Sequence, residues 1–305
     1  MDHPSTLRHR IEFWAYRLAS GLWRGLPESL AVGLGGGLGW IAGVLLRIRR
    51  RDVDGNLRIA FPQASPAWRR RVARGCYVHL GREAAIIARM PGWSWDEVLD
   101  RVNFVDFEPV REAAEGDDGV VVLTAHLGNW EVAGAGLAAL GLPLDVVGKG
   151  MANRRFEADL FALRERLGMR VIEMSDAPKE VLRALRKGRV TALLGDQNAH
   201  RFGIFLPFFG KLAATPRGPA LFALRTEAPV FVGFALRDPG GRQRYTLRAH
   251  PLEYERSGDL DEDVHRLLSA YHALLEAAIR EAPDQYFWHH KRWKTRPPEE
   301  QASSG

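Results

Sequence analysis

The second part of the chain alternates between short apolar segments and longer segments of helical periodicity, and this pattern restricts the possible folds more than any other. The β-branched run at residues 120–123 predicts a buried strand, with further strands near 146–147, 170–173, 190–194, 229–236 and 245–249. Helices are expected up to residue 140 and at about 154–167, 179–187, 216–226 and 260–281. The sequence therefore predicts an α/β fold, with a mainly parallel sheet that is flanked by helices and closes in an antiparallel edge.

An uncharged, glycine-rich run lies nearer the start of the sequence, at residues 29–46. Its length of about 18 residues is the lower limit for a helix that spans a bilayer. Glycines recur in it at the four-residue spacing that lets transmembrane helices pack closely, as Gly33/Gly37, Gly35/Gly39 and Gly39/Gly43. The run predicts an uncleaved, membrane-anchoring helix. The alternative is a buried, glycine-rich core helix.

A basic block follows the apolar run, from Arg47 to Arg51. Such a block stays on the cytoplasmic side of a membrane and contacts anionic lipid. We therefore expect the inner (cytoplasmic) membrane as the location, with the main domain on the cytoplasmic face. The predicted division is an anchor region at 1–50, the main domain at 51–298 and a disordered tail at 299–305.

The charge and cysteine content narrow the choice of partners. The 305 residues include 43 Lys and Arg against 37 Asp and Glu, a net charge of +6, which favours an anionic partner. Nucleic acid is not expected, because the arginines are scattered rather than gathered on one face and the chain has an apolar anchor. The single cysteine, Cys76, excludes an intramolecular disulfide and a thiolate-rich metal site.

The motif with the clearest chemistry follows the strand predicted at 120–123. There His126 precedes a helix that we expect to begin near Asn129, a residue type that caps helices well. Glu131 would then lie in the first turn, where it could bond one imidazole nitrogen and leave the other as a base. The alternative is a buried histidine with satisfied hydrogen bonds and a carboxylate that only supports the helix.

Two later clusters could also contribute to a site. Gly195-Asp196-Gln197-Asn198 follows the strand at 190–194, and the aromatic run at 205–209 and the segment 214–218 come next. Their polar and aromatic residues suggest the rim of a pocket for an apolar ligand, or else a well-packed turn with core aromatics. At 285–297, basic residues alternate with aromatic ones, which suits binding of single-stranded nucleic acid or a lipid headgroup, or capping of the last helix.

Taken in chain order, these blocks resemble the bacterial lipid A biosynthesis acyltransferase family. HLGNWE at 126–131 is similar to the H-x4-D/E motif of that family. The blocks similar to its other motifs are GDQN (195–198), FLPFFG (205–210), AATPRGPA (213–220) and APDQYFWHHKRWKTRP (282–297). Asn56-Leu57 and Phe61-Pro62 resemble its N-terminal element, so that the resemblance covers roughly residues 10–298.

The resemblance implies a membrane-attached fold of the glycerolipid acyltransferase kind, without a metal, a cofactor or a covalent acyl-enzyme. His126 would take the proton of an acceptor hydroxyl, and Glu131 would orient His126 and stabilise the imidazolium. These two residues are the expected catalytic residues. The residues expected to bind or support the substrates are Asn129, Arg164, Asp196, Gln197, Phe208 and Arg217.

The implied function is a membrane-associated O-acyltransferase. It would move a fatty acyl chain from an acyl carrier protein or coenzyme A thioester to a hydroxyl of a glycolipid. Lipid A biosynthesis is the pathway that the resemblance implies first. Phosphatidylinositol mannoside or another lysolipid is the alternative acceptor. A non-catalytic, membrane-bound lipid-binding protein is the alternative from a different class, and the presence of both His126 and Glu131 weighs against it.

Overall fold

A seven-stranded sheet forms the centre of the protein, in a computed structural model that describes residues 7–240 and 244–298. Its strands, in spatial order, are β1 (Val102–Val105), β9 (Tyr245–Pro251), β8 (Val230–Arg237), β2 (Val120–Thr124), β5 (Val190–Leu194), β3 (Leu144–Gly148) and β4 (Arg170–Glu173). All neighbouring strands are parallel except β8 and β9. The predicted α/β fold with a mainly parallel sheet is confirmed.

The predicted antiparallel edge is wrong in one respect, because β9 is not the last strand. The short strand β1 pairs with β9 in parallel and forms that edge of the sheet. Only one of the four residues of β1 is buried, so it lacks the continuous apolar run that marks the inner strands. The sequence pattern therefore does not predict this strand.

Eleven helices accompany the strands in the described residues. They are α1 (Leu7–Gly25), α2 (Glu28–Trp40), α3 (Arg50–Ala60), α4 (Pro66–Arg89), α5 (Trp95–Arg101), α6 (Glu108–Glu115), α7 (Trp130–Ala139), α8 (Arg154–Arg166), α9 (Ala177–Leu185), α10 (Gly218–Thr226) and α11 (Leu260–Glu281). One apolar core joins α3, α9, α10 and α11 to one face of the sheet, and a second joins α5 to α8 to the other. The five helices predicted in the α/β region are confirmed.

The glycine-rich run folds as α2, which continues into a π-helical segment at Ile41–Leu45. Together they make the one helix in the described residues, Glu28–Leu45, that is long and apolar enough to cross a membrane, and 22% of it is buried. Gly35 and Gly39 face α4, where a Cβ would overlap the carbonyl oxygens of Gly81 and Tyr77. A Cβ on Gly33 or Gly37 would meet open space. The glycine spacing therefore serves close packing of α2 against α4 within this chain.

A separate hairpin follows β5. Its strands, β6 (Ile204–Phe208) and β7 (Lys211–Thr215), are antiparallel and joined at Phe209 and Gly210, which both have positive φ. Phe208 is fully buried and stacks on Trp293, with 5.6 Å between ring centroids. The expectation that Phe208 lies on a pocket rim is wrong, because the hairpin turns it into the core.

The C-terminal segment closes this core with its aromatic residues and Arg292, while Lys291 and Lys294 are exposed. Trp288 and Arg292 are almost completely buried. Arg292 donates hydrogen bonds to the carbonyl oxygen of Ala214 at 2.5 Å and to Oγ1 of Thr215 at 2.8 Å. The alternating basic and aromatic pattern at 285–297 therefore reflects, at these positions, packing of the segment onto the β6–β7 hairpin.

Candidate functional site

The carboxyl end of the central strand β2 carries the candidate site. His126 lies in the loop between β2 and α7, and Asn129 caps α7 by accepting hydrogen bonds from the backbone N–H groups of Glu131 and Val132. Gly128 has a φ of +66°, and a Cβ there would overlap the carbonyl oxygen of Ala235. The tight loop thus holds His126 at the edge of the sheet where ligands bind in folds of this type.

His126 is bound on both sides by residues that follow the neighbouring strand β5. Asp196 Oδ1 lies 2.8 Å from His126 Nδ1, and Asp196 Oδ2 accepts the backbone N–H of His126 at 3.1 Å. Gln197 Nε2 lies 3.1 Å from His126 Nε2. A carboxylate only accepts hydrogen bonds, so Asp196 fixes the proton on Nδ1 and leaves the lone pair on Nε2.

Asp196 is suited to stabilise a positive charge on the imidazole. Burial alone would raise the pKa of this carboxyl. The His126 ring, the His126 backbone N–H and Arg292 outweigh burial and hold the pKa below its ordinary value. Asp196 is therefore ionised at neutral pH and buried beside the ring.

Glu131 does not form the expected hydrogen bond with His126. Its carboxylate is paired with Arg164, at 2.6 Å from Arg164 Nη2 to Oε1 and 3.0 Å from Nε to Oε2. Trp130 Nε1 donates a further bond to Glu131 at 3.2 Å. Because Glu131 points from α7 towards α8, Asp196 reaches the imidazole in its place. Arg164 does belong to the site region, through Glu131.

Asn129 belongs to a second, buried network that the sequence did not indicate. Its Nδ2 donates to Glu83 Oε2 at 2.7 Å, while its Oδ1 caps α7. Glu83 also pairs with Arg237 at 2.5 Å and accepts the Tyr245 hydroxyl at 2.6 Å. The Asn129 amide is thus committed to holding the loop, instead of the substrate-binding role expected for it.

The remaining predicted residues lie elsewhere. Arg217 forms an ion pair with Asp261 at the junction of α10 and α11, and Phe208 is part of the core. The structure therefore brings together His126, Asp196 and Gln197, with Glu131 and Arg164 beside them. Glu83 and His79, both on α4, support the loop: His79 Nε2 lies 3.2 Å from the Gly128 carbonyl oxygen.

Two apolar cavities adjoin these residues. One, of about 90 Å³, lies directly beside His126 and is lined by Leu80, Ala84, Ile87, Trp130 and Phe287 among others. The other, of about 50 Å³, lies between α7 and the sheet, with small residues such as Gly134, Ala192 and Gly233 in its wall. In the parts of the chain that the structure describes, no group of three His, Cys, Asp or Glu side chains could hold a metal ion.

The fold and the site define a class: α/β proteins with a histidine, oriented by a carboxylate, at the carboxyl end of a central parallel strand and beside an apolar cavity. Comparison with known protein families identifies the family within this class. The family model for bacterial lipid A biosynthesis acyltransferases matches residues 2–295. The chain belongs to this family and is an acyltransferase, as its resemblance to the family predicted.

Individual relatives agree with the family. A lipid A biosynthesis lauroyltransferase of Escherichia coli is 26% identical over 278 residues, which cover 89% of this chain and 88% of the relative. A palmitoleoyltransferase of the same organism is 27% identical over 282 residues, covering 90% and 89%. A phosphatidylinositol mannoside acyltransferase of Mycolicibacterium smegmatis is 27% identical over 194 residues, which is 62% of each chain.

Proposed function

We propose that the protein transfers a fatty acyl chain from an acyl carrier protein or coenzyme A thioester to a hydroxyl of a glycolipid, with a lipid A precursor as the acceptor. The observation that carries the proposal is the His126–Asp196 pair, which keeps the proton on Nδ1 and the lone pair on Nε2, beside an apolar cavity. The Gln197 amide donates to that lone pair, and the acceptor hydroxyl would take its place. A non-catalytic lipid-binding protein would have no need of an oriented histidine base.

The steps follow from the two ring nitrogens. His126 Nε2 takes the proton of the acceptor hydroxyl while the hydroxyl oxygen attacks the thioester carbonyl carbon. The C–S bond breaks, the ester forms, and the thiolate takes the proton from the imidazolium. Asp196 remains ionised throughout and stabilises the imidazolium. The residues beside the cavity supply an apolar wall for the acyl chain.

Glu131 and Arg164 act as positioning residues in this proposal. Their two parallel hydrogen bonds join the first turn of α7 to α8, and α7 begins three residues after His126 at its Asn129 cap. The carboxylate also lies where the dipole of α7 favours negative charge. The pair thereby fixes the direction in which the His126 loop leaves the helix.

Two observations bear on the acceptor. Relatives whose matches cover about nine-tenths of this chain are named for lipid A biosynthesis, which supports a lipid A precursor. The relative from Mycolicibacterium smegmatis is named for phosphatidylinositol mannoside, which supports that glycolipid as the second candidate. Both are glycolipids that offer a hydroxyl, so the chemistry at His126 is the same.

We further propose that α1 and α2 attach the protein to the cytoplasmic face of the inner membrane. Both helices, and the segment that follows α2, expose large apolar side chains, among them Ile11, Trp14, Leu18, Leu22, Leu34, Leu38, Leu45 and Leu46. Separation of α2 from α4 would break the close contact that the glycines make between the two helices. Attachment of α2 along the membrane plane keeps this contact and also places the exposed apolar side chains in lipid. The basic block from Arg47 to Arg51 would then contact anionic lipid.

The division into an anchor at 1–50 and a catalytic domain at 51–298 follows from this proposal. The predicted tail at 299–305 lies outside the described residues.

The reaction is tested with purified protein, an acyl thioester and one acceptor at a time. Release of free thiol is followed together with the mass of the lipid. We expect a new ester on an under-acylated lipid A precursor and thiol release that depends on it. Acylation of phosphatidylinositol mannoside alone would favour the second candidate. Thiol release without acylated lipid from either acceptor would contradict the proposal.

Membrane attachment is tested by flotation with lipid vesicles. Replacing Leu34, Leu38 and Leu45 by serine should reduce the bound fraction strongly, because three exposed apolar side chains are lost from α2 and its continuation. The matched control replaces Met174, Phe202 and Leu260, which are also exposed but lie on other elements. Equal binding of both triple variants would contradict attachment through α2.

A further inference from the structure

A groove of about 950 Å³ lies between α4, α11 and the outer strands β8 and β9. We call it the α4–α11 groove. Its floor is apolar and is formed by Phe234, Leu236, Leu274, Ala277 and Ala278. His126, Asp196 and Gln197 are not among its lining residues, so the groove is separate from the proposed catalytic residues.

One wall of the groove is cationic. Arg71, Arg74 and Arg82 line it from one face of α4, and all three side chains are exposed. Within the described residues none of them has an ion pair, although Arg74 donates a weak bond to the Arg70 carbonyl oxygen at 3.5 Å. The α4 wall therefore presents three guanidinium groups to the space above an apolar floor.

Carboxylates are present on the opposite side, but two of them have partners. Glu281 pairs with Arg248 at 3.5 Å, and Asp238 accepts hydrogen bonds from the Thr246 hydroxyl at 3.0 and 3.1 Å. Asp284 lies against Gly75 on α4. Arg237, whose side chain is 13% exposed, is neutralised by Glu83. Asp284 has no ion pair among the described residues, so the α4 wall carries three unpaired guanidinium groups against one carboxylate.

The two ends of the groove differ. At one end His79 and Gln285 separate it from the catalytic loop, since His79 contacts the Gly128 carbonyl oxygen and the Gln285 carbonyl oxygen accepts the Gly128 N–H at 3.1 Å. At the other end lies Trp40, which continues into the exposed apolar surface of Leu38, Ile41 and Leu45. Trp40 therefore joins the groove to the proposed membrane face, whereas His79 and Gln285 lie between the groove and the cavity beside His126.

From these contacts we infer that the α4–α11 groove binds the phosphate-bearing headgroup of an anionic membrane lipid that is neither the acceptor nor the acyl donor. Guanidinium groups match phosphate oxygens in charge and in bidentate geometry. The floor accommodates the glycerol carbons and the first methylene groups, and Trp40 marks the side on which the chains leave. The lipid would lie against the residues that hold the Gly128 loop.

Binding is measured without turnover, so this inference can fail or succeed independently of the proposed reaction. The probes are dihexanoyl phosphatidic acid below its micelle concentration, dihexanoyl phosphatidylcholine, inorganic phosphate and coenzyme A. We expect phosphatidic acid to bind at least tenfold more tightly than the other three. Binding of coenzyme A as tight as that of phosphatidic acid would assign the groove to the donor and overturn the inference, as would equal binding of inorganic phosphate.

Three variants locate the site. Arg71→Gln combined with Arg82→Gln should weaken phosphatidic acid binding at least tenfold, and Ala277→Trp should do the same by filling the floor. The matched control, Lys179→Gln with Arg186→Gln, removes two exposed cations from α9 and its end and should change binding less than twofold. Equal losses in the control and in the arginine variant would overturn the inference. A rise in KM for the acceptor that parallels the loss of lipid binding would identify the occupant as the acceptor and overturn it too.

Discussion

At His126 the two ring nitrogens have different neighbours. Nδ1 faces the buried Asp196 carboxylate at 2.8 Å, whereas Nε2 faces the neutral amide of Gln197 at 3.1 Å. In the proposed mechanism this asymmetry gives the two nitrogens separate tasks, since Nδ1 keeps its proton and Nε2 exchanges one with the substrates. An amide can be displaced by an incoming hydroxyl at no cost in buried charge.

The first prediction concerns Asp196→Asn. The neutral amide preserves the size of the side chain but stabilises neither the required tautomer nor the imidazolium. We expect kcat to fall by about 10²- to 10⁴-fold, with little change in KM for the thioester. Steady-state kinetics of the purified variant measures this, with the exposed Asp118→Asn as the control. A variant with wild-type kcat would show that Asp196 does not assist His126.

The predicted position of His126, in the loop between β2 and α7, and the predicted N-cap at Asn129 are both confirmed. The sequence did not identify Asp196 as the partner of His126, because that partnership depends on β5 lying next to β2, some 70 residues away along the chain. Local spacing favoured Glu131, which is near in sequence but points towards Arg164. The Glu83 network was missed for a similar reason, since its members lie on α4, β8 and β9.

At the scale of elements, the Glu131–Arg164 pair joins α7 to α8. The two side chains are 5% and 12% exposed, so each neutralises a largely buried charge. Removing one partner leaves the other unpaired, which costs about 3–5 kcal/mol in buried pairs, whereas removing both leaves no charge. This asymmetry leads to the second prediction.

Glu131→Gln and Arg164→Gln should each destabilise the protein, because each leaves the partner's charge unpaired. The double variant should lose less stability than the sum of the two single losses. We expect a coupling free energy of about 1–3 kcal/mol. Urea unfolding of the four proteins measures it. Additive losses would mean that the two side chains do not act on each other.

The contact between α2 and α4 gives the third prediction, with a control in the same helix. Gly39→Ala should destabilise the protein by about 1–3 kcal/mol, because its Cβ would meet the Tyr77 carbonyl oxygen. Gly37→Ala meets no atom and should stabilise it by about 0.5–1 kcal/mol, because alanine favours a helix. Thermal unfolding of both variants measures the two changes in stability. The same sign for both would contradict the packing described for α2.

The helices and inner strands were predictable because their apolar residues recur with a clear period, as in β5 and α11. The edge strand β1 was not, since most of its residues are only partly buried. The aromatic run at 205–209 was ambiguous, because the same residues suit a pocket rim and a buried hairpin. Only the packing of β6 against α11 decides between these two possibilities.

For the whole molecule, three histidines in or near the C-terminal segment have strongly lowered pKa values and contribute to the response to acid. Burial lowers the pKa of His272 to about 3, with Arg292 adding to the effect. Burial likewise lowers the pKa of His289 and of His290 to about 4. In the unfolded chain these groups titrate near pH 6.5. Between pH 6.5 and about 4 the unfolded state therefore binds protons that the folded state does not.

The fourth prediction follows from that difference. Stability should be fully present above pH 6.5 and fall as the pH is lowered towards 4, by about 1.4 kcal/mol per pH unit for each proton taken up. His289→Phe should reduce this dependence by about one proton. Urea unfolding at several pH values measures the slope, with the exposed His265→Phe as the control. An unchanged slope in His289→Phe would show that His289 does not contribute.

The rate of acyl transfer by His126→Gln, measured as ester formed on the glycolipid acceptor, tests the central claim most directly. Glutamine keeps a polar side chain at the carboxyl end of β2 but cannot take a proton from a hydroxyl near neutral pH. With the thioester saturating and the fold verified by unfolding, we predict that transfer falls by about 10²- to 10⁴-fold. A folded His126→Gln protein that transfers at the wild-type rate would contradict the assignment of His126 as the base.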